Sequence, residues 1–249
     1  LGGMAAVEID VEDARKLIAP YDGKIEIAAI NCPGSVTLTG DSAALLQLGE
    51  KFSGRRSRWN ALDFDYPFHS AFLDPYRDET LRLIGDLKPA EGKRGDYSSV
   101  TGAFVQGSQL GPEYWWDNMR QTVRLDKAIA AQAADGCTLF VEISPNAIMQ
   151  SYVRRSLRAA NASGRPIPTL RRDRDGCDAL DAAVDAAYCA GVALDFAILF
   201  PTPALPAELP TYPWQRERHW ADGGLNVTGK VHMRTEGRIL GARFARDLP

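Results

Sequence analysis

The order of strand-like and helix-like segments in the first quarter of the chain is the feature that most constrains its fold. Four segments alternate or run apolar as strands do, and they are residues 4–9, 24–30, 35–40 and 56–65. Two helical patterns, the first after Asp10 and the second after Asp41, separate strand one from two and strand three from four. The sequence therefore predicts the order β-α-β-β-α-β for this region.

This order is that of the split βαβ, or ferredoxin-like, unit, which hosts many functions and indicates no chemistry by itself. Further along the chain, helical patterns alternate with strand patterns. The predicted helices are residues 71–86, 112–136 and 146–160, and the predicted strands are residues 97–102 and 137–144. Such alternation is typical of a parallel α/β layer. We therefore expect an α/β protein in which the ferredoxin-like unit is inserted in, or appended to, that layer.

Composition excludes several classes of protein. The chain has 249 residues, 45% apolar and 24% charged, which is enough to bury a core of one large or two small domains. A net charge of −3 gives a nucleic-acid surface little electrostatic support. No apolar run approaches the roughly 18 residues that span a bilayer, and the N-terminus lacks the plan of a signal peptide, so we expect no membrane segment and a cytoplasmic location. The four cysteines show no CxxC spacing and are expected to be buried free thiols.

His69 is the candidate for chemistry. It follows Pro67, where a strand pattern breaks, and stands between Phe68 and Ser70. From the residues alone it could be a general base, a metal ligand or a core side chain. The other two histidines, His219 and His232, are isolated in sequence and no H-x-x-x-H spacing occurs, so we expect no metal site.

Four sequence segments together carry a family resemblance. They are "YPFHS" at 66–70, "YWWDNMRQTVRL" at 114–125, "LFVEISPNAIM" at 139–149 and "LPTYPWQRERHW" at 209–220. In order and approximate spacing they resemble the acyltransferase domains of modular type I polyketide synthases and their fatty-acid-synthase relatives. The resemblance covers about residues 1–220 and implies a hydrolase-like parallel-sheet core with an inserted ferredoxin-like subdomain.

The resemblance also implies a domain organisation. Residues 4–65 would be the ferredoxin-like subdomain and residues 66–164 the C-terminal part of the hydrolase-like core. Residues 165–221, which contain five prolines between 200 and 214, would be the linker that follows the acyltransferase and wraps back over it. Residues 222–249 would start a dehydratase domain, because "GRILGARF" at 237–244 resembles the entry to one.

The implied reaction assigns roles to particular residues. In this family a serine in a G-H-S-x-G elbow attacks the thioester of an acyl-CoA, and a histidine takes its proton and later activates the thiol of a carrier protein. His69 matches that histidine, and Asn118 matches a residue whose backbone carbonyl orients the ring. The sequence contains no G-x-S-x-G, so the elbow is expected upstream of residue 1.

The expected partners follow from the same reaction. The chain itself would bind no cofactor, since phosphopantetheine is carried by the partner acyl carrier protein. Malonyl-CoA, the acyl carrier protein, and neighbouring ketosynthase and dehydratase domains are the expected partners. Nucleic acid and membrane are not expected.

The residues before His69 bear on the acyl group. In the family, H-A-F-H accompanies malonyl and Y-A-S-H accompanies methylmalonyl, whereas this chain has Tyr66-Pro67-Phe68-His69. A phenyl ring at Phe68 can occupy the space of an α-methyl group, so Tyr66 and Phe68 are specificity candidates and malonyl is favoured. Two departures from the family pattern are Thr122, where proline is common, and Asn146, where histidine is usual.

Other functions remain open at this point. The chain could be a non-catalytic structural or docking remnant, or half of a split enzyme completed by another chain. It could also be an unrelated α/β hydrolase that uses Ser70 or Ser98 with His69, although neighbouring side chains point to opposite sides of an extended backbone.

Overall fold

The computed structural model describes residues 2–52, 59–63, 65–202 and 210–217. The chain divides into two compact units, Leu1–Leu194 and Asp195–Pro249. The dehydratase-like residues 222–249 and the histidines at 219 and 232 lie outside the described residues.

The secondary structure begins with a strand and then alternates between strands and helices. The strands are β1 (Gly2–Val7), β2 (Ile25–Cys32), β3 (Ser35–Asp41), β4 (Trp59–Leu62), β5 (Asp96–Ser98), β6 (Ala103–Val105), β7 (Val123–Arg124), β8 (Leu139–Glu142) and β9 (Arg165–Pro168). The helices are α1 (Val11–Ile18), α2 (Ser42–Glu50), α3 (Arg77–Ile84), α4 (Pro112–Arg120), α5 (Leu125–Ala134), α6 (Gln150–Ala159), α7 (Gly176–Cys189) and α8 (Phe196–Leu199).

The largest sheet has the strand order β4-β1-β3-β2-β7. Its first four strands pair antiparallel, and the short β7 pairs parallel to β2, with Val123 opposite Ala29. The predicted order β-α-β-β-α-β is therefore confirmed for residues 2–62. Asp41 caps α2 as expected, because its Oδ1 accepts a hydrogen bond from the Ala44 N–H at 2.9 Å. Asp10 occupies the N-cap position of α1, whereas its side chain makes no capping bond.

Helices α1 and α2 cover one face of this sheet and close a single core. Its buried members come from three strands, both helices and the second residue after α2, and they are Ala5, Val7, Ala14, Ile25, Val36, Leu38, Ala44, Leu45, Leu48 and Phe52. On β1 and β3 these residues alternate with side chains directed to the other face, as the period of a strand requires. Burial of this apolar face is the main source of stability for residues 2–62.

The long helix expected over residues 112–136 is interrupted, which corrects that prediction. It divides into α4 and α5 because Gln121 adopts an extended backbone (φ −80°, ψ 158°) and β7 then pairs with β2. The Thr122 hydroxyl fixes the break by donating to the Ile27 carbonyl at 2.8 Å. The segment at 71–86 also divides, into a 3₁₀ turn at Ala71–Tyr76 containing Pro75 and then α3.

A second, smaller core joins α5, α6 and β8. Its buried members are Ile129, Phe140, Val153 and Leu157. Strand β8 pairs parallel with β9, and β5 pairs antiparallel with β6, so residues 65–194 complete a mixed α/β fold. The cysteines are all free, but only Cys32 is buried, and the expectation of burial is wrong for Cys137, Cys177 and Cys189.

The second unit contains the short helix α8. Its N-cap Asp195 accepts a hydrogen bond from the Ala197 N–H at 3.0 Å, and the rings of Phe196 and Phe200 stack with centroids 6.4 Å apart. In the part of the chain that the structure describes, no helix combines the length and the apolar character needed to cross a membrane.

Candidate active site

His69 lies in a turn that is bound to the end of α4. Its backbone N–H donates to the Met119 carbonyl at 3.0 Å, and its ring Nδ1 lies 2.8 Å from the Gln121 carbonyl oxygen. The residue adopts the left-handed region with φ 59°, which is uncommon for residues other than glycine, although histidine, asparagine and aspartate adopt it more often than the others do. Two hydrogen bonds to one neighbouring segment therefore hold both the backbone and the ring of His69.

The orienting carbonyl belongs to Gln121, which corrects the expectation for Asn118. Asn118 lies within α4, where carbonyls point along the helix axis toward the residues that follow. Gln121 is the first residue beyond that helix, and its extended backbone turns the carbonyl aside toward His69. The Gln121 N–H donates to the Asp117 carbonyl at 2.8 Å and its side-chain amide to Asp117 Oδ1 at 3.3 Å, which fixes that direction. The last carbonyls of a helix have no hydrogen-bond partner within the helix. This rule could have indicated that the group orienting His69 lies at the C-terminal end of α4 rather than at Asn118.

The bond to Gln121 sets the tautomer and the charge of the ring. A carbonyl oxygen only accepts hydrogen bonds, so Nδ1 carries the proton and Nε2 keeps its lone pair. Burial lowers the pKa of His69 below its ordinary value of 6.5, and the Gln121 carbonyl offsets only part of that effect. The imidazole is therefore neutral at pH 7 and can accept a proton at Nε2.

A charged cluster of Glu26, Asp74 and Arg120 holds the segment that follows His69. Arg120 Nε donates to Asp74 Oδ1 at 2.6 Å and its Nη1 to Glu26 Oε2 at 3.4 Å. Glu26 Oε1 also accepts the backbone N–H of Ala71 at 2.5 Å. This cluster connects β2, α4 and the turn after His69. Sequence reasoning missed it, because its members are far apart in the chain and none has a distinctive motif of its own.

The two serines considered as nucleophiles have structural roles. Ser70 is fully buried, and its hydroxyl donates to the Pro67 carbonyl at 2.6 Å. Ser98 Oγ accepts the backbone N–H groups of Val100 and Thr101 at 3.0 and 3.3 Å, and the Tyr114 hydroxyl donates to it at 2.8 Å. Neither hydroxyl contacts His69, which removes the basis for the hydrolase alternative. The described residues contain no group of three or more His, Cys, Asp and Glu side chains able to hold a metal ion.

The specificity candidates form an aromatic pair beside His69. The rings of Tyr66 and Phe68 lie 5.6 Å apart at a tilt of 57°, and their side chains are 58% and 40% exposed. Between them, Pro67 packs so closely on Gly2 that a side chain at position 2 would overlap its ring. The backbone before His69 is therefore held against β1, and both aromatic rings remain accessible.

The two departures from the family pattern have local consequences. Thr122 supplies the hydroxyl that anchors β7 to the Ile27 carbonyl, a bond that proline could not make. Asn146 contributes its backbone carbonyl, which accepts the Ser144 hydroxyl at 2.6 Å.

The nearby Glu142 accepts hydrogen bonds from the Ile148 and Met149 N–H groups and from Gln150, at 2.9, 3.0 and 2.9 Å. This loop is thus organised around the Glu142 carboxylate.

Comparison with known proteins identifies the family. The family model "Acyl transferase domain" matches residues 1–194. Polyketide synthase GfsB of Streptomyces halstedii is 36% identical over 88% of this chain, and erythronolide synthase EryA3 of Saccharopolyspora erythraea is 35% identical over 88%. The chain spans only 4% and 7% of those two relatives.

Solved structures agree with the sequence relatives. The acyltransferase domain from module 8 of the salinomycin polyketide synthase has a TM-score of 0.75 and 30% identity, with 78% of this chain and 46% of that chain covered. The mixed α/β fold described above is thus that of acyltransferase domains. The resemblance inferred from the four sequence segments is confirmed. The chain belongs to the acyltransferase-domain family of polyketide synthases.

Proposed function

We propose that this chain supplies the general base of an acyltransferase that moves a malonyl-type unit from CoA to the phosphopantetheine thiol of an acyl carrier protein. The observation that carries the proposal is the hydrogen bond between His69 Nδ1 and the Gln121 carbonyl, which leaves Nε2 free and basic. The nucleophilic serine belongs, in this proposal, to a segment upstream of residue 1. A non-catalytic remnant is less favoured, because such a protein would not need a histidine held in one tautomer.

The proposed reaction uses His69 twice. The upstream serine attacks the thioester carbonyl and transfers its hydroxyl proton to His69 Nε2, and the departing CoA sulfur takes that proton to leave as a thiol. In the second half, the carrier-protein thiol gives its proton to Nε2 and attacks the serine ester, and the serine oxygen recovers the proton on leaving. Protons balance in each half, and the chain requires no cofactor of its own.

The same proposal extends to the domain organisation. We assign residues 4–65 to a ferredoxin-like subdomain, supported by the strand order β4-β1-β3-β2 and by α1 and α2 on one face. Residues 66–164 would be the C-terminal part of a hydrolase-like core and residues 165–221 the following linker, whose first residues pair as β9 with β8. Residues 222–249 would begin a dehydratase domain.

Substitution of His69 tests the general base. In a complete acyltransferase domain containing this chain, His69→Ala should slow acylation by malonyl-CoA by ~10²-fold or more, since general-base catalysis typically contributes 10²–10⁴-fold. Radiolabelled malonyl-CoA and an acyl carrier protein give the measurement.

The pH profile of the wild-type acylation rate gives a second test. The rate should fall on the acidic side only below about pH 6.5, because burial lowers the pKa of His69.

Asn118→Ala is the matched control for this experiment. Replacing this side chain leaves the Gln121 carbonyl that holds the His69 ring in place, so the variant should retain the wild-type acylation rate. A His69→Ala domain that transfers label at the wild-type rate would remove His69 from the mechanism.

Substitution of Phe68 tests the acyl specificity. We propose that the Phe68 ring occupies space that the α-methyl group of methylmalonyl would need. Discrimination of one methyl group is worth only ~1–3 kcal/mol, so a malonyl preference of about 10- to 200-fold is expected. Phe68→Ser should narrow it by admitting methylmalonyl-CoA, as measured by competition between the two thioesters. A wild-type domain that loads both at equal rates would contradict the steric argument while leaving the role of His69 untouched.

A further inference from the structure

A cavity of about 250 Å³ lies between α6, β9 and α7. Four exposed arginines are among the residues that line it: Arg154 on α6, Arg165 at the start of β9, and Arg171 and Arg174 in the turn before α7. No carboxylate is among the described residues that line it. None of these arginines belongs to the site around His69.

Within the described part of the chain, none of the four guanidinium groups takes part in an ion pair. The neighbouring Arg155 behaves differently, since it pairs with Glu8 at 2.9 Å and donates to the Pro33 carbonyl at 2.8 Å. The other polar groups of the wall are already used: Thr169 donates to the Glu142 carbonyl and Gln150 to the Glu142 carboxylate, each at 2.9 Å. The arginines are therefore the donors still available to a ligand.

Helix α7 provides a wall without acceptors. Its cavity face consists of the small side chains Ala179, Ala182, Ala183 and Ala186, which leave the volume open. The acidic residues of this helix, Asp178, Asp181 and Asp185, are exposed and are absent from that lining. All four lining arginines are exposed, so solvent screens their mutual repulsion, and Asp173 and Asp175 lie in the same turn as Arg171 and Arg174 without lining the cavity. The chain as a whole is acidic, with a net charge of −3. The positive charge is therefore local to this cavity, and its lining is suited to an anionic ligand.

We propose that this cavity binds the phosphoryl group of a small molecule, either a phosphate monoester or a diphosphate. Guanidinium groups match phosphate oxygens with paired hydrogen bonds, and a phosphoryl group offers more charge and more acceptors than a single carboxylate. The volume is several times that of one water, about 30 Å³, but lies below the roughly 300–1,000 Å³ of pockets for drug-sized ligands. The ligand therefore enters by its phosphoryl end. This site is independent of the function proposed for His69.

Calorimetric titration of the intact protein with inorganic phosphate, pyrophosphate, CoA and 3′-dephospho-CoA tests the site and separates the sources of the phosphoryl group. We expect saturable binding of pyrophosphate that weakens as salt rises. Because the proposed acyltransferase site also takes CoA, only binding that is lost in the double variant described below is assigned to the cavity. Within that part, tighter binding of CoA than of 3′-dephospho-CoA would assign the cavity to the 3′-phosphate monoester, and equal binding would assign it to the diphosphate.

The double variant Arg154→Gln/Arg171→Gln should weaken binding by about tenfold or more, because one charge-assisted hydrogen bond is worth about a factor of ten. Arg158→Gln is the matched control, since Arg158 is an exposed arginine of the same helix that does not line the cavity, and it should bind as the wild type does. Thermal unfolding without ligand should be unchanged or shifted upward in the double variant, because like-charge repulsion is relieved.

Three results would overturn the proposal. The first is the absence of saturable binding of all four compounds, and the second is binding that both variants weaken equally. The third is a marked fall in the melting temperature of the double variant without any phosphoryl binding to the wild type. That result would mean that a carboxylate of the protein itself occupies the cavity. Acylation activity enters neither measurement, so failure here does not bear on His69.

Discussion

Residues 2–62 and residues 65–194 differ in how completely each region buries a hydrophobic core of its own. The earlier region packs two helices on one face of an antiparallel sheet and buries ten residues in one cluster. The later region buries four residues in its main cluster and leaves Val141 and Ile143 of the β8 segment 49% and 87% exposed. A region whose strands are neighbours in sequence can complete its own core, whereas a region of short, dispersed strands depends more on contacts with distant segments. The candidate base lies where the two regions meet.

The largest effect that distinguishes the two regions should come from their cores. Leu38 is fully buried in the ten-residue cluster, and Leu38→Ala should lower the free energy of unfolding by about 2–5 kcal/mol, since the packed sheet cannot collapse into the cavity. Leu157→Ala in the smaller cluster should lie at the lower end of that range, because its surroundings can relax. Urea denaturation of the protein gives both values. Leu46→Ala, at a side chain that is 69% exposed, serves as the control and should change the value by less than about 0.5 kcal/mol. A larger loss at Leu157 than at Leu38 would reverse the comparison.

A medium effect is expected at the charged cluster that joins the regions. Arg120→Ala removes the partner shared by Glu26 of β2 and Asp74 of the later region. The loss should be about 1–2 kcal/mol, below the value for a buried pair because the Asp74 side chain is 55% exposed. Acylation should slow as well, since the turn holding His69 loses a support. Arg77→Ala is the control, because its partner Glu113 lies in the same region and is largely exposed. Equal effects of the two variants would show that the cluster has no special role in joining the regions.

The smallest effect concerns the response of the later region to acid. Burial opposes the ionisation of Glu142, but hydrogen bonds from Gln150, Met149, Ile148 and Ser144 outweigh it and lower its pKa. A carboxyl whose pKa is depressed in the folded state stabilises the protein above its unfolded value of about 4.3, and this stabilisation is lost as pH falls through the folded value. The free energy of unfolding should therefore fall between pH 5 and pH 3 less steeply in Glu142→Gln than in the wild type. Identical slopes would exclude this carboxylate as a source of acid sensitivity.

The same contrast explains how much of the molecule could be predicted from the sequence. The strands and helices of residues 2–62 were predicted because local signals agree there: alternating apolar residues in the strands and the Asp41 cap before α2. The break after Arg120 was missed because its cause is not local. It arises from β7 pairing with β2, a segment about ninety residues away in sequence. His69 and its neighbours Tyr66 and Phe68 could be selected by their order in the motifs, and their catalytic and specificity roles remain predictions.

The assignment of Asn118 shows where motif reasoning stops. A motif specifies which residues occur together, but the direction of a backbone carbonyl depends on where a helix ends. Here α4 ends at Arg120, two residues after Asn118, and that local geometry gives the contact to Gln121. The Glu26, Asp74 and Arg120 cluster could not be predicted for a similar reason, since its members meet only in the folded chain.

The backbone conformation of His69 also bears on how this position would respond to directed evolution. A left-handed φ of 59° costs most residues about 1 kcal/mol relative to glycine, and histidine adopts it more readily than most. A selection for heat resistance alone should therefore enrich glycine at position 69, whereas a selection for acyl transfer should retain histidine. Under the proposed function the two selections oppose each other at this position, so a library screened first for stability would lose active enzymes.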